Sequence, residues 1–345
     1  MKRQEALEHY KLNVAKDLIE EYTQKFELNL NNNEEKIREL LIEGIKSVEA
    51  KAKKIQEIEA DYKICILQFE LLRTNIINET YKIFIHGYNS SWYLDEKSVY
   101  EEIDLLLLFK PFIELKEKLI KFKKIYLGKV NNYDIQEIVF DLVSTCYKKM
   151  SMNVRNWMWN LDEIEFIKES PVLDTYVIRW GEYQNESEAI FAMDNREKYA
   201  ENILEGKKKP KENLPFVYSV WKNSNLGNVD LSDENLIFIN FKGSNLENIE
   251  FNKSDIIRGQ FKDTNISYCN FNYAMLVGAC FENSIIKKCS FENSNLTNSN
   301  FRNATFDKVS FERAIVDGAV FSEQQVPFLH LTPEQLQVIY IEGGE

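Results

Sequence analysis

The sequence predicts an α+β multidomain chain: an amino-terminal antiparallel helical bundle, then a five-coil quadrilateral β-helix, then a C-terminal capping helix. Three observations predict it. An apolar residue recurs at every fifth position from Leu226 to Phe321 without a miss. A seven-residue apolar spacing runs through Leu41, Val48, Ile55, Tyr62 and Phe69. Finally, Leu331-Thr332-Pro333-Glu334-Gln335-Leu336 carries the signals of a helix start. The expected division is 1–205 for the bundle, 206–220 for a linker, 221–325 for the β-helix and 326–345 for the cap.

The first element expected is a helix from Glu5 to Phe26, followed by a loop at Asn29 to Asn33. The seven-residue spacing, flanked by Ile37, Ile58, Cys65 and Leu72, resembles a coiled-coil seam on one long helix from about Glu34 to His86. Gly87 to Ser91 is the next loop. A second seam through Leu106, Ile113, Ile120 and Leu127 predicts a partner helix from about Ser98 to Leu127, with a kink or interruption at Pro111. Breaks at Gly128 to Asn132 and Glu169-Ser170-Pro171 delimit a further helix, about Tyr133 to Lys168. Together these make an antiparallel bundle. The stretch Val172 to Leu204 is ambiguous, and Gly206-Lys207-Lys208-Lys209-Pro210 reads as the linker.

The five-residue period cannot belong to a helix, because five residues rotate about 500° around its axis and the stripe would spiral. Nor can it belong to a strand, whose faces alternate every two residues. A backbone that turns a corner every five residues does explain it. From Phe241 to Phe301 the central residue alternates Phe with Leu or Ile, so a twenty-residue, four-sided coil sorts the phenylalanines into columns. One column is Phe241, Phe261, Phe281, Phe301 and Phe321, and the opposite one is Leu231, Phe251, Phe271, Phe291 and Phe311. The residue two before each centre supports the same pitch: larger side chains recur at Val229, Ile249, Cys269, Cys289 and Val309 among otherwise small ones.

The segments Ser244-Asn245-Leu246, Ser294-Asn295-Leu296-Thr297-Asn298 and Asn303-Ala304-Thr305-Phe306 resemble the A-[DN]-L-x-x signature of pentapeptide-repeat proteins. The resemblance covers about a hundred residues and implies a right-handed quadrilateral β-helix, with the central residue and the one two before it facing inward. Glu234 and Ile239 depart from the small residue expected there. Both lie in the first coil, which should therefore be irregular.

An open β-helix end is an unpaired edge and needs a cap. Thr332 fits the N-cap, Pro333 the first helical position and Gln335 the capping box. Leu331 and Leu336 stand where a hydrophobic staple would be, and Gly343-Gly344 should stop the helix. An end cap is the structural role, and homodimerisation through this C-terminal helix the alternative.

Composition narrows the function classes. With 44% apolar residues the chain can bury a sizeable core, and its net charge of −12 argues against direct nucleic-acid binding or an anionic membrane surface. The opening Met1 to Glu8 is more polar than expected of a signal peptide, and five cysteines without paired spacing suit a reducing cytoplasm. No metal or cofactor is expected. His9, His86 and His330 share no ligand spacing, and the sequence holds neither a Gly-rich phosphate loop nor a Gly-x-Ser-x-Gly elbow. Stacked Cys269 and Cys289 read as small core residues rather than as a disulfide or metal pair. The Trp157-Met158-Trp159 run reads as packed core, and the carboxylates as solvated helix faces.

The outward positions of the rod carry the candidate site. Ile237, Ile257 and Val277, with Phe238 and Met275 beside them, should form an apolar outer stripe over the first three coils. Such a patch marks an interface, either with the chain's own first domain or with a separate protein. An adjacent outward column reads Lys242, Lys262, Glu282 and Arg302, while Asp230, Asp233, Glu250, Glu292 and Glu312 lie opposite. The expected function is therefore a non-enzymatic protein-interaction adaptor or scaffold. The family resemblance implies an alternative, a DNA-mimic inhibitor or protector of a type II topoisomerase. The repeat weakens that alternative, because its ten basic and thirteen acidic side chains leave only −3. An accessory or regulatory subunit of an enzyme is the third class.

Overall fold

The computed structural model describes residues 2–158, 161, 172–194, 196, 199–209 and 215–343. They fall into two compact units, 1–193 and 194–345, each taken by itself below. Trp159, most of the end of the helix expected to reach Lys168, the Glu169-Ser170-Pro171 break, Pro210 and Gly344 lie outside the described residues.

The first unit is mixed α+β rather than a helical bundle. Helix α1 (Arg3–Tyr10) passes through a wider π turn, Lys11–Ala15, into α2 (Lys16–Asn32), and α3 (Glu34–Gln56) follows. The long helix expected to run from Glu34 to His86 ends there. Beyond it come β1 (Ile64–Leu71), α4 (Arg73–Ile77), β2 (Lys82–Tyr88) and β3 (Val99–Asp104). The seven-residue seam misleads because Tyr62 and Phe69 continue its count by coincidence, while Ile64, Leu67, Phe69 and Leu71 are all buried in or beside a strand. A strand covered on both faces lacks clean alternation, and a short apolar run does not distinguish strand from helix.

Helix α5 (Leu106–Lys123) forms, but not on the expected seam. Leu106 and Leu127 are exposed, and the buried face is Leu108, Phe112, Leu115 and Leu119, spaced four, three and four. Pro111 sits inside this helix without breaking it. Its missing N–H frees the carbonyl of Leu107, which accepts from Asn29 Nδ2 at 3.4 Å. The last helices are α6 (Asn132–Lys149) and α7 (Ser151–Met158), and the ambiguous stretch supplies β4 (Val172–Glu182) and β5 (Ser187–Asp194). The sheet order is β3-β2-β1-β4-β5. β1 pairs antiparallel with β2 and parallel with β4.

One face of this sheet meets the helices. α3 approaches closely at Gly44, where a Cβ would lie 2.4 Å from Ile85 Cδ1. On the same face Trp180 stacks on Tyr147 of α6 at 4.3 Å and donates to its carbonyl. Trp157 and Met158 are buried, as core residues should be.

The second unit is the repeat. Strands β6 (Asn225–Gly227), β7 (Asn245–Glu247), β8 (Asn265–Ser267), β9 (Ile285–Lys287) and β10 (Thr305–Asp307) form a parallel ladder in that order. The register is twenty: Leu226 faces Leu246, then Ile266, Ile286 and Phe306. Single bridges such as Asp230↔Glu250, Asn235↔Asp255 and Asn240↔Gln260 repeat it on the other three sides. The coil is four-sided. Its corners have a uniform device, a left-handed residue two after each centre, from Tyr218 and Asn223 to Arg313 and Gly318. Asn, Asp and Gly tolerate this conformation best, which explains why the position is rich in them.

Inside, the columns stand as the period predicts. Phe261, Phe281 and Phe301 stack at 4.7 and 4.8 Å with planes 5° apart. Phe251, Phe271 and Phe291 stack at 4.7 Å, and the two columns meet edge to face. Glu234, the misplaced carboxylate, is buried and faces Lys207 Nζ at 3.9 Å. Lys207 ends helix α8 (Ala200–Lys207), which closes the first coil. Residues 200–207 thus belong to the repeat unit, and Gly206 is helical rather than part of a linker. Its bare Cα admits Phe216, whose ring would lie 2.6 Å from a Cβ. Phe216 and Trp221 are buried centres that extend the repeat two positions upstream.

The far end is capped by α9 (Pro333–Val338) and β12 (Tyr340–Glu342). The capping box forms: Gln335 N donates to Thr332 Oγ1 and Thr332 N to Gln335 Oε1. The helix stops at Val338, not at Gly343, because the next backbone groups are taken by the rod. Gly318 N donates to Val338 O, and Tyr340 N to Ala319 O. β12 then pairs parallel with β11 (Val320–Ser322), again twenty residues apart. Leu336 remains 38% exposed.

Candidate functional site

Each residue of the outer stripe follows from the coil geometry. Ile237, Ile257 and Val277 come one position after the buried centres Leu236, Ile256 and Leu276, so their side chains leave the core on one side of the rod. The twenty-residue register joins them: Tyr218 N donates to Ile237 O, Phe238 N to Ile257 O and Arg258 N to Val277 O. All three are half-buried. The column then turns polar at Thr297, which hydrogen-bonds Asn295.

Phe238 is half-buried at a corner with φ 58°, its ring stacked on Tyr218 at 4.9 Å. Met275 is 41% exposed and stands in a different column, between Asp255 and Asn295. The stripe is therefore a three-residue column with an aromatic pair on one flank and Met275 on the other. The neighbouring charged column is partly neutralised, since Lys262 pairs with Glu282 at 3.1 Å. Sequence reasoning missed the exposed corner tyrosines Tyr268 and Tyr273. Their signal was present: both occupy the left-handed position, where the side chain points out.

Cys269 and Cys289 are both buried and free. Cys269 N lies 3.4 Å from Cys289 Sγ, and contact with Cys289, with burial, pushes the Cys269 thiol up. Among the described residues no group of three His, Cys, Asp or Glu side chains is placed to hold a metal ion.

The first unit holds a second cluster that the sequence reading did not find. On the sheet face away from α3, Gln68 and Glu70 of β1 lie beside Phe84, His86 and Tyr88 of β2. Glu70 is fully buried in a strand, not on a solvated helix face. His86 Nδ1 lies 2.6 Å from its Oε2, and the Tyr88 hydroxyl donates to its Oε1 at 3.2 Å. Burial first, and then the charge of Glu70, push the Tyr88 hydroxyl well above the usual phenol range. Trp92 and Tyr93, from the connection between β2 and β3, hydrogen-bond Gln68 on both of its amide atoms. Trp92 takes a left-handed φ of 51° to do so, a strained conformation for a bulky residue. The missed signal was short, a polar residue between apolar ones at Gln68 and Glu70, hidden under the coincidental seven-residue spacing.

Residues 284–322 match the family model for pentapeptide repeats in eight copies, and the second unit is a pentapeptide-repeat β-helix. No curated protein matches the chain. Among solved structures, the chain is similar to Rfr23, a pentapeptide repeat protein from the cyanobacterium Cyanothece 51142. Identity there is 19%, over 31% of this chain and 86% of that one, with a TM-score of 0.22. It is similar also to a pentapeptide repeat protein of the Arabidopsis thaliana thylakoid lumen, at 21% identity over 37% and 77%, TM-score 0.22. A third is QnrB1, a plasmid-mediated fluoroquinolone resistance protein, at 17% identity over 31% and 64%, TM-score 0.21. No helix among the described residues is long and apolar enough to cross a membrane.

Proposed function

We propose that this protein is a non-enzymatic scaffold whose repeat rod binds a protein partner along the column Ile237, Ile257 and Val277, with Phe238 and Met275 at its flanks. The observation that carries the reading is the register. Three apolar side chains that the core does not use are stacked one coil apart on a rigid ladder. An apolar column on a pre-organised backbone loses little entropy on binding, and contiguous apolar surface of this kind marks interfaces.

The test is a comparison of wild type with Ile257→Asp. Affinity purification from the native host should recover a partner that the folded variant loses. An unchanged partner set would remove the stripe as a partner site. If the variant instead becomes easier to cleave by protease in residues 195–214, with partners unchanged, the stripe serves contacts within the chain.

A further inference from the structure

We propose that the first unit carries a binding site for an organic ammonium ion, formed by the rings of His86, Tyr88, Tyr93 and Tyr183 beside the buried carboxylate of Glu70. This site is independent of the scaffold reading, since it lies on the other unit.

The four rings form a closed circuit. His86 to Tyr88 is 5.4 Å between centroids, Tyr88 to Tyr93 is 5.5 Å, Tyr93 to Tyr183 is 6.3 Å, and Tyr183 to His86 closes it at 6.3 Å. Tyr93 is the wall turned across the others, at 67° to Tyr88 and 85° to Tyr183, while His86 lies 16° from the plane of Tyr88 and 36° from that of Tyr183. A cation inside a circuit of this size lies within the roughly 6 Å reach of cation–π attraction to all four centroids.

The circuit is half sunk in the protein. Tyr88 is buried, while Tyr93 and Tyr183 are 37% and 43% exposed and supply an open rim. Charge then chooses the ligand. Glu70 has no exposure at all, and no Lys or Arg side chain hydrogen-bonds it among the described residues; its polar contacts are His86 and Tyr88. Neither Glu70 Oε2 nor His86 Nδ1 has an aligned hydrogen bond. A buried carboxylate so sparsely compensated is costly, and a positive ligand offsets that cost.

Two nearby cations are engaged outside the circuit. Arg179 stacks on Trp92 at 5.3 Å and donates to Ser187, while Lys51 pairs with Glu101 at 3.0 Å. The positions of the walls are fixed from behind. Tyr93 is held by Gln68, itself fully buried, and Tyr183 N donates to the carbonyl of Leu71 at the end of β1. A site whose walls are already placed needs little ordering to bind. The aromatic faces favour a poorly hydrated, methylated ammonium over a small inorganic cation, because desolvation costs it less.

Tetramethylammonium chloride is the probe, titrated against intrinsic fluorescence with sodium chloride holding ionic strength constant and tert-butyl alcohol as a neutral control of similar shape. Saturable binding of tetramethylammonium alone is expected. Tyr183→Ala, at an exposed position, should fold normally and weaken it several-fold. Glu70→Gln should weaken it about tenfold, the effect of losing roughly 1.4 kcal/mol. A trimethyllysine peptide that competes more tightly would place the cation on a protein side chain; one that fails to compete would place it on a small molecule. No saturable response in the wild type, an equal response to tert-butyl alcohol, or unchanged binding in folded Tyr183→Ala would overturn the proposal.

Discussion

Phe261 and Phe281, twenty residues apart, lie with ring centroids 4.7 Å apart and planes 5° from parallel. That separation equals the spacing between neighbouring strands of a sheet, so one turn of this rod rises by one strand. Each ring is fully buried, and each also meets the opposite column edge to face, as Phe261 does with Phe271 at 5.8 Å and 85°.

Removing a ring from the middle of such a column should therefore be severe. Phe281→Ala is expected to cost about 3–5 kcal/mol, the range for a large aromatic deleted from a packed core. Urea denaturation checks it, with Tyr273→Ala, at an exposed corner, expected to stay within about 0.5 kcal/mol of wild type.

The first coil, expected to be irregular, keeps the register and corners of the others, and its buried carboxylate makes a paired prediction. Lys207→Met leaves the buried Glu234 without its cation and should destabilise the repeat unit by about 1–3 kcal/mol. Adding Glu234→Ala restores the small inward residue found at Ala274 and Ala314, and should recover most of that loss. A double variant no better than the single one would show that the pair does not act together.

Gln335 reaches back from the cap to close the last coil, its Nε2 donating to Phe311 O at 3.0 Å and to Ala314 O at 2.9 Å. Gln335→Ala leaves both carbonyls without this donor and should cost about 1–2 kcal/mol. In hydrogen exchange, the amides of Leu296 and Ile315 should speed up while that of Phe251 does not change. Uniform acceleration along the rod would mean that the cap holds the whole unit instead of its end.

Burial pushes the Cys280 thiol up to about 11. A pKa raised in the folded state adds stability that is complete below the unfolded thiol's pKa and is lost as pH rises through the folded value. The repeat unit should therefore weaken between about pH 9 and 11. Cys280→Ala should flatten that part of the profile in urea titrations. An identical slope in the variant would assign the loss to other groups.

The repeat was legible because its period, five, belongs to no other regular structure, and because Phe and Leu or Ile alternate along it. The repeat extends upstream through the buried centres Phe216 and Trp221, and downstream Ile341 pairs with Phe321, twenty residues before it. Phe216 and Trp221 were passed over because the proline and turn signals around them compete with the five-residue count. The cap start was legible from Thr332 and Gln335, but not its end, since the parallel pairing of Tyr340–Glu342 with Val320–Ser322 is non-local.

The first unit was read less well. A spacing of seven fits two helical turns, yet Phe69 meets it from inside a strand, and Leu106, Ile113 and Ile120 meet it on the less buried side of α5. The outer stripe was visible as Ile237, Ile257 and Val277 once four sides were chosen. The cluster around Glu70 was not, because a carboxylate, a histidine and three tyrosines spread from Glu70 to Tyr183 become neighbours only when β1, β2 and β4 pair.

Cross-linking tests the four-sided coil most directly. Asn245 and Asn265 face each other across neighbouring strands, and their Cα atoms should be about 4.8 Å apart, within reach of a disulfide. Asn245→Cys with Asn265→Cys should therefore oxidise to a single intramolecular bridge, seen by peptide mass mapping. Asn245→Cys with Gln260→Cys, fifteen residues apart and on different sides of the square, should not. Efficient bridging of the fifteen-residue pair, with none at twenty, would contradict the four-sided rod and the outer column that depends on it.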